Sequence, residues 1–151
     1  PDTSSDINYV DLDTLFEQSD IVSLHCPLSN ETRHIIDTDA LKKMKRSCIL
    51  VNTSRGGLIH AEALLAALKE GKISGAALDV YEEEGDIFFE DRSDIIVQDD
   101  TLSRLISLPN VIVTSHQAFF TKEALHNIAD TTLRNIKDFE EGRPLVNEVT
   151  K

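Results

Sequence analysis

The chain has 151 residues, of which 40% are hydrophobic and 28% are charged, a composition typical of a soluble globular protein. Its formal net charge of −12 argues against nucleic acid or an anionic membrane surface as the main partner. No apolar run approaches the roughly 20 residues that a membrane-spanning helix needs. The length and composition of the chain predict one soluble domain.

Short apolar runs alternate with helical patterns along the chain, which predicts a parallel α/β sheet because parallel strands need helical crossovers. The continuous apolar run 48–51 predicts a strand that is buried on both faces. The predicted strands are 21–24, 48–51, 76–80 and 110–114. The first predicted helix is 12–18, with Asp11 as its N-cap, and a second helix begins after Thr38 as its N-cap. The remaining predicted helices are 61–70, which ends at Gly71, 102–107, and 121–141, which has Thr121 as its N-cap and ends at Gly142. The residues of the last helix predicted to face inward are Ala124, Leu125, Ile128, Ala129, Thr132, Leu133 and Ile136.

The two cysteines, Cys26 and Cys48, lie in apolar segments that resemble strands, so buried free thiols are expected rather than a disulfide. Free thiols are typical of a reducing compartment, and we expect a cytoplasmic protein. The spacing of His25, Cys26, His34 and Cys48 does not pair them as metal ligands, so no metal site is expected.

The candidate functional residues all follow the ends of predicted strands. Cys26 and Pro27 follow the first strand, residues 53–55 the second, Asp79 lies near the end of the third, and His116 follows the fourth. Parallel strands joined by right-handed crossovers end at one edge of the sheet, where open α/β sheets bind ligands. The sequence therefore predicts that these residues converge on one ligand site.

The chemistry of this set suits reduction of a carbonyl group or its reverse. Arg55 carries a planar, permanently charged guanidinium that fits a carboxylate or phosphate, and Gly56 and Gly57 beside it permit close approach to the backbone. His116 can give or take a proton at physiological pH, and a nearby carboxylate would favour its charged form. An arginine that polarises the carbonyl and a cofactor that supplies hydride would complete the reaction.

Each of these residues also has a purely structural interpretation. Arg55 could pair with a surface acid, and His116 could be a histidine hydrogen-bonded at a strand end. The acidic run 82–84 could be a solvated turn, and composition does not identify a catalytic carboxylate within it.

Four motifs in series resemble the D-isomer-specific 2-hydroxyacid dehydrogenase family, and the resemblance covers nearly the whole chain. The motifs are His25-Cys26-Pro27-Leu28, Val51-Asn52-Thr53-Ser54-Arg55-Gly56, Leu78-Asp79-Val80-Tyr81-Glu82 and Thr114-Ser115-His116-Gln117-Ala118-Phe119. The run Asp86-Ile87-Phe88-Phe89-Glu90-Asp91 most resembles the fermentative D-lactate dehydrogenase branch. The resemblance implies the second half of a Rossmann-like NAD-binding domain with a long C-terminal helix, from an NAD-dependent enzyme that interconverts pyruvate and D-lactate.

The resemblance also implies roles for individual residues. Arg55 would bind the substrate carboxylate, His116 would donate the proton, Glu84 would pair with His116, and Phe119 would flank the substrate. The nicotinamide and ribose side of NAD would be lined by Cys26, Pro27, Thr32, Thr53, Ser54 and Asp79. The full-length parent would be a homo-oligomer that binds small 2-keto and 2-hydroxy acids.

The sequence departs from the family pattern in two ways. The Gly-x-Gly-x-x-Gly fingerprint and the preceding substrate domain are missing, so residues 1–151 are expected to be a partial NAD-binding domain that is inactive in isolation. His60 stands at a helix start where the family usually has aspartate or asparagine, so a weaker helix start is expected.

Two other classes of function stay open. A non-catalytic NAD sensor, like the corepressor relatives of the family, would bind the dinucleotide without turnover. A hydrolase using Ser54, His116 and Asp79 is disfavoured, because Asn52 replaces the first glycine of a Gly-x-Ser-x-Gly elbow and Arg55 crowds the turn.

Overall fold

The computed structural model describes residues 7–82 and 100–149. The chain divides into two compact units, and the boundary between them in the sequence lies between His116 and Gln117. The first unit contains strands β1 (Ile21–Leu24), β2 (Ile49–Asn52), β3 (Gly75–Leu78) and β4 (Val111–Val113), and helices α1 (Leu12–Gln18), α2 (Thr38–Lys43), α3 (Ala61–Lys69) and α4 (Asp100–Ser107). A 3₁₀ turn, Gly56–Leu58, follows β2, and the second unit contains helix α5 (Lys122–Glu140). None of the helices in these described ranges is long and apolar enough to cross a bilayer.

The predicted parallel sheet is confirmed. Within the described residues the strands lie in the order β1-β2-β3-β4, and each neighbouring pair is parallel. The helices contact one another in the order α1-α2-α3-α4 and so form a single layer. The core lies between this layer and the sheet, with Leu50, Leu64 and Leu105 among its fully buried side chains.

The prediction that the β2 strand is buried on both faces is wrong. Leu50 and Asn52 point into the core, but Ile49 is 42% exposed. The same alternation leaves Ile21 exposed on β1 and Ile112 exposed on β4. Right-handed crossovers between strands in consecutive order place their helices on the same face, so none of the helices described in 7–82 and 100–116 lies on the opposite face.

Helix α2 begins one residue earlier than predicted, because Asp37 and not Thr38 is its N-cap. An oxygen of the Asp37 carboxylate accepts hydrogen bonds from the amides of Asp39 and Ala40, both at 2.9 Å. Thr38 is already helical, so its hydroxyl is not in the capping position. The predicted cap of α1 is confirmed: Asp11 accepts from an amide in the first turn, and this hydrogen bond lowers the pKa of Asp11.

His60 does cap α3, although it is not a usual capping residue. Its Nδ1 accepts from the amide of Ala63 at 3.3 Å, which is longer than either bond at the Asp37 cap. Whether this makes a weaker helix start stays a prediction. Gly71, just beyond α3, adopts a φ of +64°, the left-handed conformation in which glycine ends helices.

Helix α5 begins after the predicted cap, Thr121, but its predicted inward face is wrong. No residue of α5 is buried, and Leu125, Ile128, Leu133 and Ile136 are all exposed. The described part of the second unit has no further helix or strand against which this apolar stripe could pack. That residues 1–151 act as one partial domain stays a prediction.

Both cysteines are free thiols, as expected from the sequence. Cys48 is fully buried at the start of β2, and burial raises the pKa of its thiol. A buried thiol with a raised pKa has little reactive thiolate, so Cys48 is part of the core. Cys26 is partly exposed at the end of β1.

Candidate active site

The ends of the strands lie side by side, as the sequence predicts. Leu24 pairs with Asn52, Asn52 with Leu78, and Leu78 with Val113, so the strands finish level with one another. The candidate residues that follow these strands, Cys26, Pro27, Thr53, Ser54, Arg55, Asp79 and His116, therefore all lie at one edge of the sheet. This edge is the candidate active site.

A buried asparagine shapes the turn that carries Arg55. Asn52 has no exposed surface, its Nδ2 donates to the carbonyl oxygen of Arg55 at 2.9 Å, and its Oδ1 accepts from the amide of Ser54 at 3.1 Å. The Ser54 hydroxyl in turn donates to the carbonyl oxygen of Cys26 at 2.8 Å, which ties the end of β2 to the end of β1. The polar residue that ends an apolar strand therefore fixes the backbone on both sides of Arg55.

Replacing Asn52 with leucine in a full-length parent should reduce the free energy of unfolding by about 2 kcal/mol, because the Arg55 carbonyl and Ser54 amide lose their partner. Urea unfolding measures this change. Asn110→Leu is the control, since Asn110 also donates to a backbone carbonyl at 2.9 Å but is exposed and lies at the opposite end of the sheet. Equal losses in the two variants would contradict the organising role of Asn52.

Arg55 is exposed and projects from the turn with its charge available to a ligand. Its Nη1 donates to the carbonyl oxygen of the neighbouring Ser54 at 2.7 Å. A guanidinium has five donors, so this one hydrogen bond leaves the fork able to bind a carboxylate in a bidentate manner. No salt bridge between Arg55 and an acid is found within the described residues.

The ends of β3 and β4 are joined through Asp79. The Asp79 side chain is buried and accepts a hydrogen bond from the Thr114 hydroxyl at 2.5 Å. The Asp79 carbonyl oxygen accepts from the backbone amide of His116 at 2.7 Å. His116 is partly exposed and adopts a φ of +52°, a left-handed conformation that is uncommon outside glycine and is enriched at functional sites.

Two of the residues expected to line the cofactor use their hydroxyls within the chain. Thr32 Oγ1 donates to the carbonyl oxygen of Pro27 at 2.7 Å and accepts from the amide of Ser29 at 2.8 Å, so it shapes the loop after β1. Ser54 is bonded to Cys26 as described above. Pro27 and Thr53 are exposed at the edge and remain available for a ligand.

Two further predicted residues cannot be related to this edge. Glu84 and the run from Asp86 to Asp91 lie outside the described residues. Phe119 is exposed, and it belongs to the second unit.

Sequence reasoning missed three features of the site. The first is the role of Asn52 in the turn, for which a polar residue at the end of an apolar strand is a usable signal. The other two are the hydrogen bond from the Thr114 hydroxyl and the contact of Glu82 with Arg33 and His34. Nothing in the local sequence signals that last contact, because Glu82 is 48 residues from His34.

Comparison with known proteins gives consistent matches for this chain. Residues 1–118 match the family model described as the NAD binding domain of D-isomer specific 2-hydroxyacid dehydrogenase. The 2-hydroxyacid dehydrogenase A of Aspergillus oryzae is 52% identical over 95% of this chain and 41% of its own length. The D-lactate dehydrogenase of Escherichia coli is 49% identical over 95% of this chain and 44% of its own length.

A solved structure described as the pyruvate reductase of Chlamydomonas reinhardtii matches the fold with a TM-score of 0.86. It is 48% identical and covers 92% of this chain and 43% of its own length. The chain therefore spans less than half of the length of these relatives.

Proposed function

Because this chain belongs to the D-isomer specific 2-hydroxyacid dehydrogenase family through its NAD-binding domain, we propose that its full-length parent is an NAD-dependent D-lactate dehydrogenase. Two relatives carry names for the two directions of one reaction, D-lactate dehydrogenase and pyruvate reductase. The observation that carries the proposal is one edge of the sheet with an exposed arginine, Arg55, and a histidine, His116, at the ends of parallel strands. This edge offers an anion-binding group and a proton donor to a 2-keto acid.

The residues at this edge fit NAD by their chemistry. Pro27 offers an apolar surface, the Thr53 hydroxyl is exposed, and the Asp79 carboxylate lies between the ends of β3 and β4. These groups, with Cys26 and Ser54, suit the nicotinamide and ribose side of the cofactor. NAD supplies the hydride when bound.

The chain's own residues would bind and protonate the substrate. Arg55 would hold the carboxylate of pyruvate with two parallel hydrogen bonds and so fix the orientation of the keto carbon. His116 would give its proton to the carbonyl oxygen as that oxygen gains negative charge. By the family resemblance alone, Phe119 would flank the substrate.

Purified full-length parent tests this proposal directly. NADH absorbance should fall when pyruvate is added, and D-lactate but not L-lactate should support the reverse reaction. NADH binding without turnover on any member of a panel of 2-keto acids would favour the sensor alternative. Ester hydrolysis without NADH would favour the hydrolase, which Ser54 argues against because its hydroxyl already donates to the Cys26 carbonyl.

Glu84 is proposed as the carboxylate that keeps His116 charged, on the strength of the resemblance. Pyruvate reduction consumes a proton from His116, so the rate should fall as pH rises and His116 loses that proton. Glu84→Gln removes the negative charge that favours the imidazolium, so the fall in rate at alkaline pH should begin at a lower pH. This falling part of the pH–rate profile is called the alkaline limb.

The measurement is kcat/KM for pyruvate against pH in the wild type and Glu84→Gln, with Glu83→Gln as the control. The limb of the control should stay in place. A limb that does not move in Glu84→Gln would restore the interpretation of the acidic run as a solvated turn.

A further inference from the structure

Glu82 makes two hydrogen bonds across the edge of the sheet, outside the Arg55 and His116 pair. Its Oε1 is 2.5 Å from Nε2 of His34 and 3.0 Å from Nη2 of Arg33. A carboxylate accepts only, so His34 must carry a proton on Nε2 and donate it to this oxygen. Arg33, His34 and Glu82 are called the Glu82 cluster below.

The two contacts of the cluster differ in strength because they differ in burial. The side chains of His34 and Glu82 are 27% and 19% exposed, whereas that of Arg33 is 57% exposed. Water and salt weaken an exposed ion pair, and a largely shielded hydrogen bond to a charged group keeps more of its strength. The bond between His34 and Glu82 is therefore the main contact.

The cluster joins three segments that follow strands. Arg33 and His34 directly follow Thr32 in the loop after β1, Glu82 follows β3, and the His34 amide donates to the carbonyl oxygen of Gly57 at 2.9 Å in the turn after β2. A Cβ atom on Gly56 would lie 2.5 Å from the amide nitrogen of Glu82, so this turn lies directly against the backbone at Glu82.

The backbone of His34 gives independent evidence that this junction is constrained. Its φ is +54°, in the left-handed region, which costs a non-glycine residue energy that the surroundings must compensate. The ring of His34 also packs edge-on against that of His60, with 4.8 Å between ring centres. His60 in turn caps α3, so the His34 ring contacts both Glu82 and a residue that is itself held at a helix start.

We propose that Glu82 is a positioning residue, which through His34 holds the loop after β1 against the turn that carries Arg55. The inference deepens the proposed function and rests on it for the substrate, but its effect on cofactor binding is separate. Pro27, a proposed cofactor contact, and Thr32, whose hydroxyl donates to the Pro27 carbonyl oxygen, lie in the loop that the cluster fixes. Loss of the cluster lets this loop move relative to Arg55, and NADH and the keto acid are then bound less well.

The test compares Glu82→Gln, His34→Asn and the double variant in the full-length parent. Asparagine tolerates the left-handed backbone of His34 but is too short to keep the contact. Each single variant should weaken NADH binding, measured by fluorescence titration, by about three- to tenfold. Glutamine keeps an oxygen that can accept from His34 but loses the charge that strengthens the bond, whereas asparagine at position 34 breaks the contact. The double variant should therefore be little worse than His34→Asn alone, because both changes act on the same contact.

Kinetics and controls separate positioning from a general loss of structure. KM for pyruvate should rise while kcat changes little, since the reacting groups themselves are intact. Glu17→Gln, an exposed carboxylate on α1, should leave NADH affinity unchanged. Arg33→Gln, at an exposed position where folding is not at risk, should weaken NADH binding in the same direction but less than Glu82→Gln.

The outcomes keep the two proposals distinct. NADH affinity in Glu82→Gln equal to that in Glu17→Gln, or fully additive effects in the double variant, would overturn the positioning role. If the wild type binds NADH but turns over no pyruvate, the proposed function fails, and the NADH titrations still decide whether the cluster positions the loop.

Discussion

Arg55→Lys in the full-length parent should lower kcat/KM for pyruvate by about 10- to 100-fold, with most of the loss in KM. Lysine keeps the positive charge but offers a single ammonium in place of the planar fork that matches a carboxylate. The turn itself should be unaffected, because Asn52 binds the backbone of residue 55 and not its side chain. Steady-state kinetics at a fixed NADH concentration measure the change.

Arg46→Lys is the matched control for this substitution. Arg46 is also exposed, but it precedes β2 and so lies at the amino end of that strand, away from the candidate site. Its replacement should leave both kinetic constants unchanged. Arg55→Lys kinetics indistinguishable from those of Arg46→Lys would mean that Arg55 does not hold the carboxylate.

The location of the site was predictable because it depends on the order of the elements. Four apolar runs separated by helical patterns require parallel strands, and parallel strands end at one edge. The residue following each run, such as Arg55 or His116, could therefore be assigned to that edge from the sequence. The strand bounds differed by only one or two residues, which did not change this result.

The burial of each apolar face was less predictable, because a local apolar pattern does not indicate which other segment covers that face. Ile49 belongs to an apolar run typical of a strand covered on both faces, yet the helices that the structure describes in this unit form one layer on one face. The same is true of Leu133 and Ile136 in α5, whose apolar stripe is exposed. In both cases the apolar pattern correctly indicates the secondary structure but does not indicate the burial.

The atomic contacts between distant segments were not predictable from the sequence, although the edge at which the strands end was. Gly56 was expected to let a ligand approach the backbone, but the close neighbour in the structure is the chain itself. A Cβ atom on Gly56 would lie 1.9 Å from the carbonyl oxygen of Tyr81 and 2.0 Å from its carbonyl carbon. The absence of a side chain at this position lets the turn after β2 pack against the segment after β3.

Gly56→Ala should therefore be among the most damaging single changes in the chain. The added methyl group would overlap backbone atoms of Tyr81, which cannot rotate away as a side chain can, so the turn and the segment after β3 must separate. We expect a loss of about 3 kcal/mol in the free energy of unfolding, the upper part of the usual range for overpacking. The shift should also displace Arg55 and the Glu82 cluster, so KM for pyruvate and the dissociation constant of NADH should both rise.

Gly57→Ala tests the same change one residue further along the turn. There the added methyl group would meet only side chains: Leu28 at 3.1 and 3.3 Å, and Arg33 Nη1 in ordinary van der Waals contact at 3.7 Å. Leu28 is 43% exposed and can turn aside. Its cost should be about 1 kcal/mol or less, with NADH affinity nearly unchanged. Urea unfolding and NADH titration of the two variants side by side make the comparison. Equal effects would mean that the loss comes from replacing any glycine of this turn, and that the close approach of Gly56 to Tyr81 is not what holds the two segments together.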